Sequence, residues 1–171
     1  LSHVADRTQL AKYSMAAQLY APIWGMIATV GVLLWPHYRD LMRDGTHGVS
    51  VLGRHIVAFG ISGVIVAGCY VALADPVSRT LSRGQISVDL PIRLAFAALL
   101  IIQSLQLPSG MLLTDESGMR LQARLVLAMC VLNLASSWIL ARHWGATGPV
   151  VASALCVGVV QLWPTARHAF R

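Results

Sequence analysis

Long apolar stretches with almost no charge are the feature that most constrains what this chain can fold into. A helix that crosses a membrane needs about 20 mostly apolar residues, because the hydrocarbon layer is roughly 30 Å thick and each residue rises about 1.5 Å. Five such stretches follow one another, at residues 13–35, 55–74, 94–113, 121–141 and 146–166. The sequence therefore predicts an all-α protein, a polytopic bundle of about five transmembrane helices.

The distribution of charge supports lipid, and not water, as the solvent of these helices. Hydrophobic residues make up 56% of the chain and charged residues only 12%, and the charges gather between the apolar stretches. A soluble helical protein would need a polar stripe along each helix. The net charge of +6 could favour nucleic acid, but no basic helix face or stacking aromatics accompany it. We expect membrane lipids to be the partners, and no nucleic acid.

Residue types that carry catalysis or bind metals form no recognisable pattern. The three cysteines lie inside apolar stretches without a C-x-x-C spacing, and the histidines lack the i, i+4 spacing that would place two imidazoles on one helix face. No motif for a nucleophile, a zinc hydrolase or a nucleotide is present. Asp115 and Glu116 are predicted to be solvated loop charges. The sequence predicts no catalytic residue, no metal and no cofactor, and therefore not an enzyme.

Aromatic and basic residues mark the ends of the predicted spans. Trp35, Trp144 and Trp163 lie where an amphipathic indole favours the headgroup layer. Lysines and arginines divide almost evenly between the two sides of the membrane. If Lys12 and Arg93 lie at membrane depth, the balance predicts a cytoplasmic C-terminus, because only loop charges decide orientation.

Three segments resemble one family of transporters. Residues 22–41 end the first span with Trp-Pro, residues 112–122 form a short polar loop with a basic turn after it, and residues 144–154 open a helix with the pattern G-x-x-G-a-a-x-A. This order of landmarks is similar to the C-terminal half of polysaccharide flippases. These transporters of lipid-linked oligosaccharides are relatives of the lipid II flippases and of the multidrug exporters.

The resemblance implies that residues 1–171 are a partial transmembrane domain of a bacterial protein, with five of the helices of a C-terminal lobe. It implies that the N-terminal lobe of the same chain is missing, and the first residues support this because they do not resemble a signal peptide. The expected substrate is a lipid-linked sugar for the cell envelope. The expected location is the cytoplasmic membrane, which the chain would cross several times.

Candidate substrate-binding residues follow from the chemistry of such a substrate. A pyrophosphoryl sugar calls for cationic side chains, and Lys12 and Arg93 lie nearest to membrane depth, although both could simply snorkel to the headgroups. Gln103, Gln106 and Asn133 could bond sugar hydroxyls from a cavity wall, because amides donate and accept. Hydrogen bonds between helices explain these three amides equally well.

Proline and glycine residues mark candidate hinge and packing positions. Pro22 predicts a kink in the first span, and Gly60 and Gly63 would let neighbouring helices approach closely or slide. Gly145 and Gly148 open the last span.

Two alternatives remain open at this stage. A multidrug exporter of the same superfamily would carry an acidic residue inside a helix of the missing lobe, and none lies in the middle of a span here. A non-transporting membrane subunit or a membrane-bound transferase for cell-envelope synthesis would gather Asp115, Glu116 and His47 on one membrane face.

Overall fold

The computed structural model describes residues 7–43 and 48–169, which form helices and short connections without a β-strand in those ranges. The helices are α1 (Arg7–Val32), α2 (Leu34–Arg43), α3 (Gly48–Leu81), α4 (Leu90–Leu112), α5 (Glu116–Trp144), α6 (Gly148–Cys156) and α7 (Trp163–Ala169). A 3₁₀ turn at Gly145–Thr147 joins α5 to α6, and a π-helical segment at Val157–Leu162 joins α6 to α7. The all-α prediction is confirmed.

Four helical segments of the described chain are long and apolar enough to cross a membrane, by length and composition: Thr8–Leu41, Val51–Leu81, Leu90–Leu112 and Glu116–His168. Many of their large apolar side chains point outward. On α5, Leu127, Val131 and Leu134 are 69%, 70% and 76% exposed. So large an apolar surface would be a liability in water and is ordinary in lipid, which indicates a membrane protein.

The last of the four segments doubles back on itself. At Gly145 the backbone takes φ 54°, and Gly148 then lies so close to Leu140 that an added Cβ would be 2.4 Å from the Leu140 carbonyl carbon. Farther from the turn, Asn133 Nδ2 donates to Ser153 Oγ at 3.2 Å. The two legs are therefore antiparallel, and the segment Glu116–His168 contains the predicted spans 121–141 and 146–166.

Helix α4 lies at the centre of the bundle. It packs along α3 and also contacts α1 and α6. Leu100 is fully buried, and Phe96 and Ala97 are nearly so, in one core cluster with residues of α1, α3 and α6. Since α4 touches each neighbour, its polar side chains are the ones best placed to link the other helices.

The end of helix α3 differs from the predicted end of the second span. The second span was expected to end at residue 74, before Asp75-Pro76, but α3 continues through Pro76 to Leu81. The Asp75 carboxylate stays at the helix surface because it accepts from the backbone N–H of Val88 at 3.2 Å and pairs with Arg79 at 3.0 Å. A charge that marks a boundary in the sequence is neutralised here by partners that lie later in the chain.

Helix α1 likewise begins before the predicted start of the first span, and only Leu33 separates it from α2.

The bundle has two ends. The Asp89 end comprises the start of α1, the connection 82–89 and the turn at Gly145. The Thr114 end comprises α2, the start of α3 and the connection 113–115.

Candidate substrate-binding site

Lys12, one of the two predicted cationic binding residues, lies at the Asp89 end in an ion pair. Its Nζ is 2.8 Å from the Asp89 Oδ2, and the side chain is 20% exposed. Asp89 stands directly before α4 and faces α1 across the bundle end. Lys12 is thus partly neutralised, and a ligand that needs its charge would have to share it with this carboxylate.

Arg93, the other predicted cation, reaches into the bundle from the first turn of α4. Its Nη1 donates to the Val71 carbonyl oxygen at 2.7 Å. Its Nε is buried and has no hydrogen-bond partner within the described part of the chain. A buried guanidinium donor without an acceptor is costly, and an incoming acceptor could satisfy it.

Aromatic rings cluster where α1, α3 and α4 meet. Tyr13, Tyr20 and Tyr70 pack around Phe96, with ring centroids 5.9, 5.0 and 6.1 Å away. The Tyr70 hydroxyl donates to the Ala16 carbonyl oxygen at 2.9 Å. These rings and their hydroxyls hold the three helices together in this half of the bundle.

The predicted amides lie in different places. Gln103 accepts a hydrogen bond from the Tyr20 hydroxyl and so belongs to the aromatic cluster. Gln106 is one turn farther along α4 and makes no side-chain hydrogen bond to a residue in the described ranges. Asn133 lies on α5 and bonds Ser137 and Ser153. Gln103 lies ten residues along α4 from Arg93, which is about 15 Å, and Asn133 bonds within the α5–α6 pair. The structure therefore does not bring these two amides to the cations.

A cavity of about 510 Å³ opens at the Asp89 end, bordered by the start of α1, the start of α4 and the turn between α5 and α6, and most of its lining surface is apolar. Its lining includes the Gln9 amide, the Asp89 carboxylate, the Thr147 hydroxyl and the Trp144 indole. The indole is 58% exposed. A flat apolar ring beside a carboxylate and an amide suits a sugar, whose ring faces are apolar and whose edges carry hydroxyls.

An apolar groove of about 330 Å³ runs between α1 and α3. Leu19, Ile23 and Met26 contribute from α1, and Val66, Leu73 and Val77 are among the residues that contribute from α3. Such a surface at membrane depth is suited to a hydrocarbon chain.

The glycines of α3 differ in their surroundings. A Cβ added at Gly63 would be 2.8 Å from the Ser104 Cβ, and one added at Gly60 would be 2.7 Å from the Leu105 Cδ2. At Gly68 nothing lies within 4 Å. Gly63 is therefore a point of close approach between α3 and α4, whereas Gly60 meets the end of the flexible Leu105 side chain. Helix α1 continues through Pro22, and the hinge role of Pro22 stays a prediction.

The acidic residues at the start of α5, Asp115 and Glu116, have structural partners. The Asp115 carboxylate caps α5, since Oδ1 accepts from the Gly118 N–H at 3.2 Å and Oδ2 accepts from the Ser117 hydroxyl. Glu116 pairs with Arg120 one turn on. His47, the third residue of the transferase alternative, lies outside the described residues. In the described ranges no group of three or more metal-ligating side chains gathers.

Sequence reasoning missed the cavity at the Asp89 end. In the sequence, Trp144 was interpreted only as a residue of the membrane interface. Asp89 and Gln9 gave no signal, because the three residues meet in the cavity although each is more than 50 positions from the others in the chain. The position of Asp89 before Pro91 marks a helix start, but no local pattern announces a neighbour on α1.

Comparison with protein-family models, curated proteins and solved structures finds no match for this chain. The fold and its exposed apolar surface define the class, an all-α protein with helices that can cross a membrane.

Proposed function

We propose that this chain is part of a flippase-type transporter that moves lipid-linked oligosaccharide or polysaccharide precursors across the cytoplasmic membrane. The observation that supports the proposal is the pairing of a cavity that carries several polar residues with an apolar groove, both built partly from α1. A lipid-linked sugar has a hydroxyl-rich head and a long hydrocarbon tail, so its two parts require two surfaces of this kind on one protein.

In this proposal the sugar occupies the cavity with one face on the Trp144 indole, and its hydroxyls bond Asp89 and Gln9. The pyrophosphate lies toward Lys12 and Arg93, where it could accept the unsatisfied Nε–H of Arg93. The polyprenyl tail lies in membrane at the α1–α3 groove. A second lobe from the missing part of the same chain would complete the cavity, and rocking of the two lobes would expose it alternately to each side.

The proposed orientation places the Thr114 end and the C-terminus in the cytoplasm. With Lys12 and Arg93 set aside, the described cations toward that end are Arg39, Arg43, Arg54, Arg120, Arg124 and Arg167, and those toward the Asp89 end are Arg7, Arg79, Arg83 and Arg142. At the Asp89 end, Lys12 pairs with Asp89 and Arg93 is tied to a backbone carbonyl. Loop cations concentrate on the cytoplasmic side of membrane proteins, which favours this orientation.

Binding of a fluorescent polyprenyl-pyrophosphoryl oligosaccharide to the purified chain in nanodiscs tests the proposal. Trp144→Ala should weaken binding by about tenfold, the usual effect of truncating a tryptophan that anchors a ligand. Trp163→Ala is the matched control, because that indole is 70% exposed at the opposite end of the bundle, and it should bind as the wild type does.

Two ligands separate the alternatives. Polyprenyl pyrophosphate without the sugar should bind more weakly than the complete ligand, and equal binding would argue against a sugar site. An apolar organic cation that competes for the groove, with no effect of Trp144→Ala, would favour the multidrug exporter, for which the wholly apolar lining of the α1–α3 groove is the supporting observation.

A further inference from the structure

A second recognition surface lies at the opposite end of the bundle, between α2 and the start of α3. It is a groove of about 420 Å³ lined by His37, Val51, Arg54 and His55. None of these residues takes part in the proposed sugar site. The groove concentrates three nitrogen-rich side chains in one place.

Packing beneath the groove holds α2 in place. Tyr38, Leu52 and Leu112 form a small buried cluster that joins α2, α3 and α4, with exposures of 1%, 0% and 8%. The Trp35 Nε1 also donates to the Thr114 Oγ1 at 3.0 Å, which ties the first turn of α2 to the 113–115 connection. These contacts fix α2 against α3 and α4, and so fix the described walls of the groove.

The two imidazoles meet with defined geometry, and Arg54 lines the same groove. The Tyr38 hydroxyl lies 2.9 Å from the His55 Nδ1, and the rings of His37 and His55 are 5.7 Å apart in an edge-to-face arrangement. When the tyrosine donates to Nδ1, the His55 proton is on Nε2, where it can be donated to a ligand. Tyr38 thus acts as a positioning residue for His55.

In the described part of the chain, the donors that line the groove have no acidic partner. Within residues 7–43 and 48–169, Arg54 forms no ion pair, and neither do His37 and His55. Asp40, one turn along α2 from His37, is exposed and pairs with no cation in those ranges. An arginine fork beside two imidazole donors matches the oxygens of a phosphate group.

The position of the groove along the membrane-crossing helices indicates the source of that phosphate. The groove lies where two membrane-crossing segments end, Thr8–Leu41 and the beginning of Val51–Leu81. Next to it, Arg39 lies over the Trp35 ring at 5.1 Å from the centroid, an arrangement that suits the headgroup layer. Lipid phosphates are concentrated in that layer.

We propose that the α2–α3 groove binds the phosphate of an anionic membrane lipid, with Arg54 and the two imidazoles as donors. Such a lipid would occupy a fixed place at the Thr114 end, separate from any transported substrate. The site needs neither the second lobe nor the cavity at the Asp89 end.

Native mass spectrometry of the purified chain, released from micelles that contain phosphatidic acid and phosphatidylcholine, tests this proposal. The wild type should retain phosphatidic acid in preference to phosphatidylcholine. Arg54→Gln should weaken that retention by about tenfold, as expected for losing hydrogen bonds between charged groups, and His37→Gln should weaken it less. Arg54→Lys should be intermediate, because it keeps the charge and loses the fork.

Arg124→Gln is the matched control, since Arg124 is an exposed arginine on α5 near the same end. Retention in this variant should equal that of the wild type. Equal retention of the two lipids by the wild type would overturn the proposal, and so would equal losses in Arg54→Gln and Arg124→Gln. Competition by inorganic phosphate at the same concentration as the lipid would show a free-phosphate site and overturn the lipid as the source.

Because Trp144→Ala leaves this groove intact, it should not change lipid retention. Absence of sugar binding with lipid retention preserved would count against the proposed function alone. Absence of lipid retention with sugar binding preserved would count against this inference alone.

Discussion

Replacing Gly63 with alanine should force apart the two helices that share the largest interface of the bundle. The new Cβ would lie 2.8 Å from the Ser104 Cβ, 2.9 Å from the Ser104 Oγ and 3.5 Å from the Ile101 Cα. Carbon atoms in contact are ordinarily about 3.5–4.0 Å apart. Helices α3 and α4 must therefore separate by about 1 Å at this crossing, since a Cβ cannot rotate away.

The size of the effect follows from two opposing contributions. Overpacking of a tight contact costs about 1–3 kcal/mol, whereas alanine in place of glycine favours a helix by about 1 kcal/mol. Gly68→Ala on the same helix isolates the second contribution, because nothing lies within 4 Å of a Cβ at that position. Gly63→Ala should accordingly be about 1–3 kcal/mol less stable than Gly68→Ala.

Unfolding of the purified protein by SDS in mixed micelles, followed by circular dichroism, measures this difference. Ser104→Gly removes the atom that the new Cβ meets, so the double variant Gly63→Ala/Ser104→Gly should recover most of the loss in a double-mutant cycle. Equal stability of Gly63→Ala and Gly68→Ala would refute the close approach, and so would a cycle with no coupling between the two sites.

Two further predictions concern the Thr114 end and the membrane orientation. Hydrogen bonds from the Ser117 hydroxyl and the Gly118 N–H hold the pKa of the Asp115 carboxyl below its ordinary value. The stabilisation of the folded protein by this carboxylate is therefore complete above the ordinary pKa and is lost as pH falls through the lowered one. Asp115→Asn should keep the helix cap and flatten the dependence of SDS unfolding on acidic pH. An unchanged dependence on pH in this variant would contradict the prediction. A C-terminal green fluorescent protein fusion should fluoresce and an alkaline phosphatase fusion should be inactive, whereas an active phosphatase would reverse the proposed orientation.

Hydropathy determined the class of this protein because the constraint is local. Each stretch such as 94–113 must supply its own backbone hydrogen bonds in lipid, so its length and lack of charge suffice to predict a helix. The turn at Gly145 is local in the same sense. Glycine tolerates the positive φ that this turn takes, and Pro149 suits the start of the next helix, so both residue types indicate a turn without reference to distant partners.

Charged residues show where sequence reasoning is limited. Asp75 suggested the end of a span, yet the helix continues because Val88 and Arg79 satisfy the carboxylate. Lys12 and Arg93 were candidates for free cations, yet Asp89 and the Val71 carbonyl hold them. A charge has a cost that depends on its partners, and partners 77 positions apart in the chain leave no local pattern.

The cavity at the Asp89 end and the α2–α3 groove were decided by tertiary structure alone. Trp144, Gln9 and Asp89 meet only because the start of α1, the start of α4 and the α5–α6 turn share one end of the bundle. His37 and His55 meet only because α2 packs on α3 through Tyr38 and Leu52. Spans follow from the transfer of apolar residues into lipid, which each segment undergoes by itself, whereas sites follow from helix packing, which joins residues that are distant in sequence.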